Sequence, residues 1–574
     1  MVYCVEVLIM AYFLKKQKQG NQMYLAIYDS FYSPQTKGTK HRCYQSLGSV
    51  EKLLSQGIQD PLAYGKDLVD KLNSERSPES DQLISDSPVI KHLGYFPLRS
   101  LLDKLGVRSF IDLFKLTNSF HYDLYTLISS LIFARAVKPC SKYKTYTEVL
   151  PSLFEPLDYS YDQLLDGLEF IGADYQKFIE LFYTQYCRTF GSDTSSTYFD
   201  CTNFYFEIDR EDDLRRKGPS KENRKDPIVG MGLLLDADQV PVWMKIYPGN
   251  QSEKPILRDC IRELKERNGI VGRTIHVADK GLNCAENIAF SRENNDGYIF
   301  SKSVKQLPET EKVWVKLESG WHDVKDRKGE LLYRYKSCID SFPYKVERNG
   351  KKVTVKLKEK RLLTYNPSLA KKKEFEINRM VEKARALCAS QAKRAEFGEC
   401  SKFVDFNAID KTTGEVSDDA IALTINEDKI LKEKEFAGYN LIVTSETGVK
   451  DQELYAAYHN LWRIEESFRI MKTDLDARPV YLQKQETIIG HFLICYLTVM
   501  LERILQMKVF KRKYSSNELY DFFKDFCVIE VKKEYINTSR STEFITELSS
   551  DMNLPLNHMT ISQTKLNKIL NYKL

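Results

Sequence analysis

The chain has 574 residues, 42% hydrophobic and 12% aromatic, with 85 basic against 80 acidic side chains. That length predicts about three or four domains, and the apolar content excludes a disordered or collagen-like chain. A net charge of +5 is small for this size, so any nucleic-acid surface has to come from local patches. The twelve cysteines include no C-x-x-C pair. Cys4, Cys43, Cys140, Cys201 and Cys284 lack metal-ligand spacing and read as reduced core residues, which favours the cytoplasm.

The opening MVYCVEVLIMAYFL is apolar, but it carries Glu6, has no basic start and ends without a small-residue cleavage site. It reads as a strand or strand pair rather than a signal peptide. Residues 1–73 alternate apolar and polar positions around turn signals, which predicts a β-rich module. The polar stretch SERSPESDQLISDSP opens a linker over 74–94. From 95 to 190 the period is helical, with Leu124, Leu127, Ile128, Leu131 and Ile132 on one stripe. Arg135, Lys138, Lys142 and Lys144 follow, either a basic segment for phosphates or a solvated helix end.

Residues 191–304 alternate strand and helix patterns: STYFDCTNFYFEI, a hairpin turning at Asp236 to Gln239, a helix over 252–269, the strand RTIHVAD, a helix from Cys284 to Arg292, and GYIFSKSV. This order predicts an α/β domain with a mixed sheet. Residues 305–437 carry alternating runs such as KVWVKL and KVERNGKKVTVKLK, with a turn at Asn349-Gly350 and a charged helical piece near 371–392; they read as a β-rich insertion. The core pattern returns over 438–507, with strand YNLIVTSE and helices over 450–475 and 486–507. The longest uncharged apolar run, Phe492 to Leu501, is too short to cross a bilayer. Residues 508–574 form a C-terminal region of no assigned role.

Three carboxylates stand out. Asp200 lies inside an aromatic strand, where a charge is costly unless paired or metal-bound. Asp279 ends the strand IHVAD, at the edge where α/β sheets place ligands. On the 450–475 helix, Leu461, Ile464, Phe468, Met471 and Leu475 form a buried face. A neighbouring stripe reads Tyr458, Trp462, Glu465, Arg469 and Lys472. The plain reading is an amphipathic helix with a Glu465–Arg469 pair; the sharper one joins Glu465 to the two aspartates around metal, with Tyr458 and Lys472 gripping DNA phosphate. Two Mg²⁺ ions on carboxylate oxygens suit phosphodiester chemistry, one activating the attacking water or 3′-hydroxyl and the other stabilising the leaving oxygen.

At these residues the chain resembles bacterial insertion-sequence transposases of the D-D-E class, in the group with a β-rich insertion ahead of the glutamate. The segments that carry the likeness are TYFDCTNFYFE, VPVWMKIYPGNQSEKPIL, HVADKGLN, FAGYNLIVTSE and YHNLWRIEESFRIMKTDLDARPVY, with SFYSPQTKGTKHRCYQSLGSV near the start. The resemblance implies an RNase H-like mixed-sheet core interrupted by the insertion. Asp200, Asp279 and Glu465 are then the catalytic, metal-binding triad, using two Mg²⁺ with Mn²⁺ as a substitute. Tyr458 and Lys472, with Trp462 and Arg469 beside them, become DNA contacts. The group's spacing puts an arginine three residues after the tyrosine, where this chain has Leu461, and Glu466 is the rival to Glu465.

The implied activity is cutting at terminal inverted repeats and joining the freed 3′ ends to target DNA, by a transposase dimer in the bacterial cytoplasm at the nucleoid. The module 1–73 and the helices of 95–190 are the candidates for end-specific DNA binding. Two alternatives stand beside this: a transposase-derived DNA-binding protein without activity, and a stand-alone metal-dependent nuclease. The sequence has no P-loop, H-E-x-x-H or G-x-S-x-G motif.

Overall fold

The computed structural model describes residues 9–20, 22–33, 38–76, 90–117, 120–222, 224–268, 272–348, 350–390, 393–408, 421–531 and 534–574. The start of the opening apolar segment, Asn349 and most of the expected linker lie outside them. The chain divides into two units, Met1–Val89 and Ile90–Leu574.

In the first unit Ile9–Gln19, Gln22–Ser33 and Gly38–Ser49 form an antiparallel sheet in chain order. Period-2 alternation buries Leu25, Ile27 and Asp29 on one face. Two helices follow, Val50–Ser55 and Pro61–Arg76. The second was not expected in a β-rich module. It starts because Asp60 accepts from the Leu62 and Ala63 amides and Pro61 suits a first helical position. Asn73 on that helix exchanges two hydrogen bonds with the Tyr12 backbone.

The second unit is built on a nine-stranded sheet. Its strands are β1 Ser196–Tyr205, β2 Ile228–Leu235, β3 Pro241–Pro248, β4 Ile275–Ala278, β5 Gly297–Lys302, β6 His322–Lys325, β7 Leu331–Arg348, β8 Lys351–Tyr365 and β9 Tyr439–Thr444. The spatial order is β6-β7-β8-β9-β5-β4-β1-β2-β3. β1, β4 and β5 run parallel and every other neighbour pair is antiparallel. β2 is buried at every position, as befits a strand covered on both faces.

Helices Leu124–Val137 and Tyr161–Ala173 pack on Gln485–Ile504, which also meets β3. Gln485–Ile504 runs on to Val509, and this segment is long and apolar enough to cross a membrane by length and composition. Its most apolar window is 94% buried inside the fold, so it serves as a core helix. Strand Ile90–His92, within the expected linker, joins a second sheet whose other strands, Cys527–Val531, Glu534–Asn537 and Thr560–Ile561, come from the C-terminal region.

Three expectations are corrected. KVWVKL is not a strand but lies in helix Glu309–Lys316, whose acidic first turn and basic last turn suit the helix dipole. The alternation there is too short to decide between the two periods. The strands of 322–365 do not form a separate module: β8 pairs with β9, so β6 to β8 extend the core sheet, and the rest of the insertion is largely helical around Ile377, Val381 and Phe403. Finally, Arg135 and Lys142 meet neither phosphate nor solvent. Arg135 is buried, donating to the Leu475 and Cys140 carbonyls, and Lys142 is buried against His491 Nδ1 at 3.1 Å.

Two features yield measurable consequences. Gly172 and Gly490 lie where two helices touch backbone to backbone: a Cβ on Gly172 runs into the Glu486 carbonyl, and one on Gly490 into the Leu168 carbonyl. Gly490→Ala forces the pair apart and is expected to cost about 2 kcal/mol or more in denaturant unfolding. In the turn after β2, Asp236 is fully buried, accepting from Val240 N, Ser192 Oγ and Tyr186 Oη. Burial pushes its carboxyl up to about 7. A raised acid stabilises the fold while protonated, and that contribution is lost as pH rises through the folded value. Between about pH 5 and pH 8 the native chain is expected to lose stability relative to Asp236→Asn, read as the difference in unfolding midpoints.

Candidate active site

The site forms midway along β1 and at the carboxyl end of β4. The parallel register pairs Tyr198 with Val277 and Phe199 with Ala278; one step beyond this last pair come Asp200, still within β1, and Asp279, the first residue after β4. Adjacent strands are about 4.8 Å apart, which sets the two carboxylates near enough for Asp279 to act on Asp200. Asp200 is 24% exposed, and its Oδ1 accepts from the Cys201 amide at 2.7 Å. Burial, opposed by Lys221 but reinforced by Glu253 and Asp279, pushes its carboxyl up to about 6. Asp279 Oδ1 accepts from Ser301 Oγ on β5 at 2.9 Å and from Tyr458 Oη at 3.0 Å.

The expected long helix is in two pieces, Asp451–His459 and Trp462–Arg469, followed by a wider turn over Ile470–Asp474. Leu461, Ile464, Phe468, Met471 and Leu475 are all buried, as their spacing predicts. The second piece packs on β1 and β2, and Glu465 lies within electrostatic reach of Asp279: burial and repulsion from Asp279 raise its carboxyl, with Lys221 acting against them. Glu466 points elsewhere, held by Arg463 at 3.2 Å and by the fully buried Arg503 at 2.8 Å. Of the two acids, Glu465 is the one within electrostatic reach of Asp279.

The other sequence candidates sit around this centre. Trp462 is 47% exposed beneath the Arg463 guanidinium. Arg469 pairs with Asp474 and Asn517 rather than with Glu465. Lys472 lies 3.4 Å from Glu222 and over the Phe204 ring.

Four residues were not singled out from sequence. Lys221, in the loop between β1 and β2, has its Nζ 3.6 Å from Asp200 and 3.7 Å from Glu253, and it donates to the Cys201 carbonyl. Burial works against its charge, but the two acids outweigh burial and hold its pKa above the ordinary lysine value. Glu222 contacts both Lys472 and Arg478. Glu253 opens the helix Glu253–Asn268; its segment GNQSEKP was visible, but no periodicity separates that acid from an ordinary first-turn residue. Arg478 follows the helix in an irregular stretch, where spacing gives no signal.

Among the described residues no three acidic, histidine or cysteine side chains stand close enough, as placed, to hold a metal ion. Beside Asp279 opens a cleft of about 700 Å³ whose walls include Lys254, Lys280, Lys302, Lys305, Lys372 and Lys373, with Glu376 as the acid among them. Such a concentration of ammonium groups is the local basic patch that the small net charge required.

The transposase DDE domain profile matches residues 206–501, just over half of the chain. Asp279 and Glu465 fall inside the match, and Asp200 lies just ahead of it. No curated protein matches the chain by sequence. The chain belongs to the transposase DDE domain family.

Proposed function

We propose that this chain is a DNA transposase that cuts at the terminal inverted repeats of an element and joins the freed 3′ ends to target DNA, with Asp200, Asp279 and Glu465 as its catalytic acids. One observation carries the reading: Asp200, midway along β1, and Asp279, directly after β4, lie one step beyond the parallel pairing of Phe199 with Ala278, and Glu465 lies within electrostatic reach of Asp279 while its neighbour Glu466 is engaged elsewhere. The five strands β1 to β5 with this acid placement support an RNase H-like core.

The donor chemistry fits divalent metal. All three groups are hard oxygen donors, and the carboxyls of Asp200 and Glu465 are raised first by burial and then by neighbouring acids. The cation now among them is the Lys221 ammonium, so the three acids close around an ion only once that ammonium withdraws. Asp200, Asp279 and Glu465 are the residues that would hold Mg²⁺, which would supply Lewis acidity for phosphodiester chemistry. Around it, Tyr458 and Ser301 fix the orientation of the Asp279 carboxylate. Trp462 offers an exposed ring for an unpaired base. The lysine-lined cleft offers a path for the DNA backbone. A paired-end dimer is part of the same reading.

The test is strand cleavage and joining on a marker flanked by the element's own ends. Asp200→Ala, Asp279→Ala and Glu465→Ala are each expected to lower cleavage by about 1,000-fold or more, and chelation of Mg²⁺ to abolish it, while most DNA affinity is retained. Efficient Mg²⁺-dependent cutting by Glu465→Ala overturns the assignment; cutting without joined product points to a nuclease. Stability separates the two neighbouring glutamates. Glu466→Ala removes one partner of the buried Arg503, which keeps Glu502, Gln506 and Ser516, and is expected to cost about 2 kcal/mol in unfolding, whereas Glu465→Gln relieves repulsion and leaves the midpoint unchanged or raised.

A further inference from the structure

The loop between β1 and β2 sends two consecutive side chains of opposite charge into the centre. The Lys221 ammonium stands between Asp200 and Glu253 and within electrostatic reach of Glu465. The Glu222 carboxylate stands between Lys472 and Arg478. A cation among carboxylates occupies the kind of place a divalent ion takes, and an anion between two cations the kind a phosphodiester takes.

We propose that Arg478 joins Lys472, already read as a DNA contact, in one phosphate subsite, that Glu222 fills this subsite in the free protein, and that Lys221 fills the adjoining cation position. This rests on the transposase reading above. Both subsite cations are held independently of Glu222: Lys472 lies over the Phe204 ring at 5.6 Å and Arg478 over the Tyr205 ring at 5.0 Å, two aromatics at the end of β1. The fork therefore stays formed when Glu222 leaves. Lys221 and Glu222 belong to an irregular segment with no ladder hydrogen bonds to break. Because they are neighbours in the chain, withdrawal of one draws out the other. DNA and metal then favour each other's binding without touching, since each expels the same two-residue plug. Arg478 also supplies a second cation near Lys472 in a chain that has Leu461, a buried apolar residue, three positions after Tyr458.

The experiment uses the full chain. DNA affinity is measured by anisotropy on a labelled random-sequence duplex in EDTA, and Mn²⁺ affinity by electron paramagnetic resonance without DNA; circular dichroism checks folding. Glu222→Gln is expected to bind the duplex on the order of fivefold tighter. Glu374→Gln, an exposed acid on the insertion helix, controls for the change in net charge. Lys221→Met is expected to bind Mn²⁺ on the order of fivefold tighter. Arg478→Gln is expected to weaken the duplex, flatten its salt dependence by about one phosphate contact, and cancel the gain from Glu222→Gln in the double variant. A merely structural role for Lys221 or Glu222 predicts losses, not gains. Folded variants that bind no tighter than the native chain, or a Glu222→Gln gain no larger than that of Glu374→Gln, overturn the proposal. If the native chain binds neither Mn²⁺ nor DNA, the transposase reading falls and the subsite with it.

Discussion

The centre depends on one pairing, the parallel register of β1 with β4. A slip of one residue turns Asp200 or Asp279 to the opposite face of the sheet. That register is held from behind by a buried polar chain. Lys265 grips both oxygens of Asp296 at 2.7 Å, Asp296 meets His276 Nε2 at 3.1 Å, and His276 Nδ1 meets Thr197 Oγ1 at 2.8 Å. Thr197 is on β1 and His276 on β4, so the chain ties the two strands three residues before their acids. Burial lowers the His276 pKa, which leaves a neutral ring able to donate to one side and accept from the other. Asp296 also accepts from the Thr274 amide, so none of this buried charge is left without a partner.

In front of that pairing the balance is reversed. Asp200, Glu253, Asp279 and Glu465 gather negative charge at a partly covered edge, and the fold bears the resulting repulsion rather than relieving it with neutral residues. Such local instability is common where function, not folding, selects the side chains. The same contrast separates the two neighbouring glutamates on the helix. Glu466 is absorbed into the Arg463–Arg503 network and secures the helix against its surroundings, whereas Glu465 is left exposed within electrostatic reach of Asp279.

The regular parts of this arrangement were legible in the sequence because burial imposes a period. Strands β1 to β5 and β9 announced themselves as apolar runs between turn signals, and Leu461 to Leu475 as a 3-and-4 stripe. What escaped was non-periodic. Lys221, Glu222 and Arg478 lie in irregular segments, where nothing local distinguishes them from solvated loop charges. Arg135 and Lys142 misled in the opposite sense: basic residues at a helix end read as exposed, yet carbonyls and an imidazole far along the chain receive them in the interior. The long hairpin was legible as strands, but its attachment was not, since pairing of β8 with β9 joins residues about 80 apart and leaves no mark in either segment alone.

That attachment bears on what can be removed from the molecule. β9 is apolar through Leu441, Ile442 and Val443, all fully buried, and β8 takes up the backbone groups along one of its sides. The hairpin thus acts as a selvedge to the sheet, sealing a margin that would otherwise invite another chain to add its own strand. A shortened protein lacking residues 322–365 has an unfinished hem beside a strand with three fully buried apolar residues, and self-association rather than a smaller soluble core is the natural fate of such a truncation.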